Sequence, residues 1–273
     1  MPKKLSRLCS LALSALVLLT LAPTVSAADE LSIPDAERRL ARLLNDQRAT
    51  LGLRPLRLDH RLRDVAHIRV RDMATKHYFA HQHSDGRYAW DIMSDEGINW
   101  YWAGEILAWN NYGTLRESTD AAARGWRESP THWAIVKDPD YNYFHFGYAY
   151  DKELGRKIWA GIFLKGPDRT GAWSEMEGAG VATAAFTTSS TSRQMTVRWA
   201  GADVPLSVLT SGFRYFIVQR RTDGGSWTTL LASTTATSFT GNMTRGHRYD
   251  FRVRGRDRAG NYGRWSDPLV VTP

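Results

Sequence analysis

Cysteine is almost absent from these 273 residues: the one thiol, Cys9, lies in an N-terminal apolar run. Once that run is removed, the chain has no disulfide, no thiolate metal ligand and no cysteine nucleophile, which excludes cysteine catalysis and the small disulfide-stapled folds. Stability must then come from core burial, which about 245 residues in two domains can supply. Also missing are a Gly-x-Ser-x-Gly elbow, a Walker loop and a Gly-x-Gly-x-x-Gly fingerprint, so nothing marks a serine hydrolase or a nucleotide site. Ser129 stands three residues from His132, but Pro130 intervenes and Ser-Pro reads as a helix boundary. After Val25 no stretch is apolar enough to span a bilayer.

What is present at the N-terminus is an export pattern. Lys3, Lys4 and Arg7 precede an uncharged run from Leu8 to Val25, and Val25-Ser26-Ala27 offers small residues for cleavage. Residues 1–27 are expected to be a signal peptide, which predicts a secreted or envelope-associated protein; an uncleaved membrane anchor is the competing reading. The net charge of +8 is unevenly spread. Residues 28–192 are close to neutral, whereas residues 193–273 carry 12 Arg against 5 Asp and no lysine.

Composition divides the mature chain. Between Gly166 and Gln194 the apolar periodicity gives way to Gly, Ala, Ser and Thr, as in Gly178-Ala179-Gly180 and Thr187 to Ser192. That predicts a flexible linker over 169–192 between domains at 28–168 and 193–273. In the first domain, helices are expected from Ile33-Pro34-Asp35 to Gly52, from Asp59 through Leu62, Val65, Ala66, Arg69 and Met73, around Trp90 to Met93, and from Ser118 to Trp126. The runs Phe144–Tyr150 and Ile158–Phe163 read as a hairpin around Gly155. Helices followed by antiparallel strands argue an α+β fold.

Three polar marks interrupt this aromatic background: Phe79-Ala80-His81, Ala103-Gly104-Glu105, and Trp126 to His132 with Glu128 between. Two imidazoles and two carboxylates from separate segments are the residue set of a cleft that moves protons or binds a divalent cation. Together with Leu44-Asn45-Asp46-Gln47-Arg48, Gly52-Leu53, Met73-Ala74, Asp85-Gly86, Gly125-Trp126, Gly147-Tyr148-Ala149, Trp159 and Phe163, in that order, these marks resemble the CAP superfamily in its short secreted bacterial branch. The resemblance covers about residues 33–165. It implies an α-β-α sandwich whose cleft holds a tetrad of His81, Glu105, Glu128 and His132. The chain departs from the family pattern at Ile106, where Asn is usual, and at Thr131 and Trp133 beside the second histidine, which puts family-typical ligands in question.

Read from the residues, His81 and His132 can ligate Zn²⁺ or a similar ion with Glu105 as third ligand or as base on bound water. The plainer account is that the four groups satisfy one another and tie segments together. Three functions follow: an extracellular binding module, a metal-assisted hydrolase of peptide, ester or glycan, or an adhesion protein. His83, two residues from His81, and His145, in a strand, can add to the cleft but better suit surface or strand-filling roles, and His60, His67 and His77 show no partner in sequence. Trp100, Tyr101, Trp102, Trp109 and Tyr112 crowd around Glu105, and with Trp90, Trp126 and Trp133 they suit either a platform for a cell-wall glycan or lipid, or simple core filling.

The last 81 residues alternate as strands, and Asp223-Gly224-Gly225 is a turn. Trp199, Tyr249 and Trp265-Ser266 are similar to a fibronectin type III domain, with Tyr249 where that fold places a corner tyrosine. Arg248, Arg252, Arg254, Arg256 and Arg258 fall at period two, so one strand face is rich in guanidinium. Such a stripe can hold a polyanion or can be a solvated face. Nucleic acid fits an exported chain poorly.

Overall fold

The computed structural model describes residues 30–182 and 191–273. The expected signal peptide, and part of the expected linker, lie outside the described residues.

Helix α1, Ile33–Thr50, starts where Ser32 accepts a hydrogen bond from the Asp35 N–H, and its Pro34 sits in the first turn, where no N–H is required. Its buried stripe of Ala36, Leu40, Ala41 and Leu44 has the three-to-four spacing of one helix face. Strand β1 (Arg57–Leu58) leads to α2, His60–Lys76, capped by Asp59 and closed by His77 in the left-handed conformation at φ 57°. A short α3, Ala89–Asp95, follows, then β2, Trp102–Asn110. Helix α4, Leu115–Glu128, begins earlier than the residue pattern predicts, because Thr114 and Glu117 form a reciprocal capping box. Ser129 ends it and Pro130 opens α5, Pro130–Val136, so the Ser-Pro pair is the helix boundary expected of it. Strands β3 (Tyr143–Asp151) and β4 (Arg156–Lys165) form the expected hairpin.

These strands make one sheet in the order β1-β3-β4-β2, with β1 parallel to β3 and the rest antiparallel. Alternation along β4 sends Trp159 and Phe163 into a core shared with α1, α4 and α5, and Ile158, Ala160, Ile162 and Leu164 into a second core shared with α2 and α3. Helices therefore cover both faces, and both indoles of the first core find acceptors: Trp126 Nε1 donates to the Leu107 carbonyl at 3.0 Å and Trp159 Nε1 to Ser118 Oγ at 2.9 Å. Helix α2 approaches β3 so closely at Gly147 that a β-carbon there would lie 2.6 Å from the Ala66 carbonyl carbon.

The remainder is β-structure: β5 (Trp173–Val181), β6 (Ser192–Ala202), β7 (Phe213–Thr222), β8 (Thr228–Thr234), β9 (Ser238–Thr244), β10 (Tyr249–Asp257) and β11 (Leu269–Val271). They form two sheets, β5-β6-β9 and β11-β10-β7-β8, whose inner residues share two small cores, one around Phe251 and Val197 and one around Trp199 and Val253. Asp223 and Gly224 take positive φ at the turn into β8, as the Asp-Gly-Gly signal requires.

The structure corrects the first part of the linker expected at 169–192; residues 183–190 of it lie outside the described residues. Residues 173–181 are strand β5, paired along its length with β6. Small residues mislead because one flank of this strand is exposed, so its alternation carries little apolar signal. The C-terminal part also docks on the first. Leu206 is buried in the α2 core, Ser207 Oγ donates to the Pro139 carbonyl at 2.8 Å, and Asn261 Nδ2 donates to the Asp168 carbonyl at 2.9 Å. Among the described residues, no helix is long and apolar enough to cross a membrane.

Candidate functional site

Glu105 belongs to β2, an edge strand of the sheet, and points to the α2 side, where its carboxylate is buried. Arg69, buried on α2, donates Nε to Glu105 Oε1 at 2.8 Å. The same guanidinium uses Nη2 to hold the carbonyls of Ala80 and His81 at 2.7 and 2.6 Å. That grip fixes the loop after α2 and sets His81 so that its Nδ1–H donates to Glu105 Oε2 at 2.7 Å. Both carboxylate oxygens are thereby engaged, whereas the His81 side chain remains 53% exposed.

His132 comes from α5 on the other side of the edge strand and is partly buried. Burial pushes its pKa down, and the nearby charge of His81 pushes in the same direction, so its imidazole is held neutral. The two imidazoles are thus electrostatic neighbours drawn from opposite sides of β2. Glu128 is exposed at the end of α4 and shares no hydrogen bond or ion pair with the other three among the described residues. The structure bonds His81 and Arg69 to Glu105, with Arg69 where the second carboxylate of the tetrad was expected, and sets His132 within electrostatic range of His81.

Arg69 escaped the reading of the residues as a site member, though its signal was visible: an arginine on the apolar face of α2, in register with Leu62, Val65, Ala66 and Met73. A charge on such a face must find a buried partner.

The donor set fits a cation poorly. Glu105, expected as a ligand, has one oxygen on Arg69 and the other on His81, so two imidazoles remain where a zinc site uses three or four protein ligands. Among the described residues, the acidic and imidazole side chains close enough to share an ion are Asp168, Asp203 and Asp257, all buried, with ligand oxygens within 4.8 Å of one another. These carboxylates accept hydrogen bonds from the protein itself, including the N–H groups of Thr170, Ser211, Gly212 and Asn261. The cluster works as a knot between the two parts of the chain. Burial, and then Asp168 and Asp257, raise the pKa of Asp203 against the opposing hydrogen bond from Gly212.

Most of the remaining histidines find carboxylates. His67 Nε2 donates to buried Glu37 at 2.6 Å, His77 lies 3.0 Å from Asp151, and His83 lies 2.9 Å from Asp85. His145 is buried in β3 beside the His60 ring, its pKa lowered by burial. Of the aromatic set, Trp126 is core, while Tyr101, Trp102, Trp109 and Tyr112 are exposed along and beyond the edge strand. Trp102 is 58% exposed three residues from Glu105.

The sequence profile of the CAP family, described as the cysteine-rich secretory protein family, matches residues 41–163. The Bacillus subtilis (strain 168) protein YkwD is 29% identical over 133 residues, which are 49% of this chain and 48% of the relative, so the match spans about half of each. Among solved structures, an outer surface protein from Borrelia burgdorferi is similar at 17% identity and a TM-score of 0.45, over 50% of this chain and 97% of that one. An extracellular protein containing a SCP domain from Bacillus anthracis str. Ames is similar at 22% identity and a TM-score of 0.44, over 53% and 45% of the two chains. Residues 41–163 are a CAP domain with bacterial relatives.

Proposed function

We propose that this CAP domain acts outside the cell or on its envelope as a binding module, taking a cell-wall glycan at the open edge of β2. The observation that carries this reading is the locked state of Glu105. Its oxygens are spent on Arg69 and His81, so the groups left to meet a ligand are the exposed His81 ring, the neutral His132 and, four and three residues before Glu105, the exposed rings of Tyr101 and Trp102. Hydrogen-bonding imidazoles beside exposed indole and phenol rings suit a sugar, which offers hydroxyls at its rim and an apolar face. The secretory pattern of residues 1–27 supports an extracellular setting.

A hydrolase reading is favoured by one feature. The Glu105 carboxylate fixes the His81 tautomer with Nδ1 protonated, leaving Nε2 free to accept a proton. One experiment separates the two. Purified protein is incubated with solubilised wall glycan, with binding read by calorimetry and products by mass spectrometry. The binding reading expects His81→Ala and Trp102→Ala each to weaken binding about tenfold, roughly 1.4 kcal/mol, with no product released. Unchanged binding in both variants overturns it, and product formation that is lost in His81→Ala assigns the hydrolase.

We read residues 173–181 and 192–273 together as a fibronectin type III-like accessory domain. The Thr244 N–H donates to the Tyr249 hydroxyl at 3.0 Å, the backbone contact expected of a corner tyrosine in that fold, and this supports the reading.

A further inference from the structure

The arginine face of β10 is not a row of free side chains. Arg252 lies over the Trp227 ring at 4.2 Å and over the Trp265 ring at 4.5 Å; Arg254 lies over Trp265 at 4.5 Å and Tyr262 at 4.4 Å; Arg256 lies over Tyr262 at 4.7 Å. Guanidinium and ring alternate without a break. Arg221 extends the ladder over Trp227 at 4.7 Å, and Tyr215 ends it beside Arg256.

Three consequences follow from this stacking. Arg252, Arg254 and Arg256 have no carboxylate within ion-pair distance among the described residues, unlike Arg221 and Arg248, which share Asp250. Their charge is cushioned by rings and not neutralised. Stacking also uses the flat faces of a guanidinium and spares its N–H edge, the part that recognises phosphate through paired hydrogen bonds. Some of that edge is committed: Arg252 Nε and Nη2 to Gln219 Oε1, Arg256 Nε to the Gly260 carbonyl and Nη1 to the Tyr215 hydroxyl. Arg252 Nη1, Arg256 Nη2 and the Arg254 guanidinium make no hydrogen bond within the described residues, and Arg254 Nε is buried without a partner. Finally, Trp227, Trp265 and Tyr262 each carry two guanidinium groups, which compete with any nucleobase or sugar for stacking on these rings.

We propose that the Arg252–Arg254–Arg256 ladder is a second binding surface, independent of the cleft, for a linear phosphate-bearing polymer of the cell surface read by charge spacing alone. Alternate residues of one strand stand roughly 6.6–6.8 Å apart, and this sets the spacing of phosphates that would engage all three arginines at once. The rings hold the side chains extended in advance, so little conformational freedom is lost on binding. The adhesive role belongs to this middle stretch, and Arg248, paired with Asp250, is outside it.

The full-length protein is titrated into fluorescein-labelled poly(glycerol phosphate), with anisotropy read at several salt concentrations. Binding is expected at about 50 mM salt with a log–log salt slope of about −2 to −3, the value for three neutralised phosphates. Replacing Arg252, Arg254 and Arg256 together by lysine keeps the charge but loses the stacked forks, and is expected to weaken binding at least tenfold. A control removing three exposed arginines off the ladder, Arg245→Ser, Arg258→Ser and Arg264→Ser, should lose less than threefold. If the lysine variant is misfolded, Gln219→Glu decides: it sets a carboxylate on the Arg252 donors without disturbing the stack and should weaken binding at least threefold. No binding by wild type, equal losses in ladder and control variants, or tighter binding of an oligothymidylate of matched charge each overturns the proposal.

Discussion

Arg69 and Glu105 form a buried ion pair at 2.8 Å, between the middle of α2 and the edge strand β2. Taking both charges out of water is costly, and the geometry offsets this cost by using the same guanidinium to hold two carbonyls of the loop that carries His81. The pair therefore ties the fold to the site: a helix residue with no ligand contact positions the imidazole.

Removing one partner should be far worse than removing both. Glu105→Gln or Arg69→Met leaves an unpaired buried charge and is expected to cost about 3–5 kcal/mol, while the double change Arg69→Met with Glu105→Leu should recover most of that loss. Urea unfolding of the three variants checks this. Similar stability of the single and double variants would mean that the pair contributes nothing of its own.

His132 should titrate below the ordinary histidine range near 6.5, because burial and the neighbouring His81 charge both disfavour its protonation. His81→Ala removes the second cause only, so the midpoint should move part of the way back up. Two-dimensional NMR of the imidazole nitrogens against pH measures both values. An unmoved midpoint would place the two rings too far apart to act together.

Glu37 supplies an acid-sensitive contact. Burial opposes its ionisation, but the hydrogen bonds from His67 and Arg63 outweigh burial and hold its pKa below the ordinary carboxylate value. A depressed folded-state pKa means that the native state binds fewer protons than the unfolded state, so this stabilisation is complete above about pH 4.3–4.5 and is lost as pH falls through the folded-state value. Glu37→Gln should flatten the slope of stability against pH in that acid window and leave the neutral region parallel to wild type. Thermal melts across about pH 2–7, spanning both carboxylate values, provide the test.

Gly147 should tolerate no side chain. A β-carbon there meets the backbone of Ala66 and His67 at 2.6–2.8 Å, and backbone cannot swing aside. Gly147→Ala is expected to cost about 3 kcal/mol or more by forcing α2 off the sheet, against little change for Gly125→Ala, where the added carbon meets nothing within 4 Å. Denaturant midpoints of the two variants give the comparison.

A protease site placed within residues 183–190 should nick the chain without separating its parts. Strand β5 stays paired with β6, and Asp168 stays bonded to Ser211 and Asn261 across the cut. Native gel filtration of the nicked protein should give one peak at the intact size, and two peaks would restore the reading of a simple inter-domain linker.

Much of the first domain was legible because local rules and burial agree there. Asp59 as a cap, the stripe of Leu62, Val65 and Met73, and the Gly155 hairpin all appear where their chemistry places them. Strand β5 was not legible, because Gly178-Ala179-Gly180 has linker composition and only its pairing with β6 makes it a strand. The start of α4 differs from expectation for a local reason, since Ser118 and Thr119 also look like caps but are buried inside the helix.

By itself the sequence determined the periodic elements, the export pattern, the excess of arginine in the last 81 residues and three of the site's side chains, because each depends on residue type and short spacing. Tertiary structure decided what those side chains do. It set Arg69 against Glu105 from 36 residues away, left Glu128 outside the cluster, and threaded Trp265 and Tyr262 between arginines of another strand. Distance through space is not written in chain order, and a charge or a ring acquires its role only from the partner that folding brings to it.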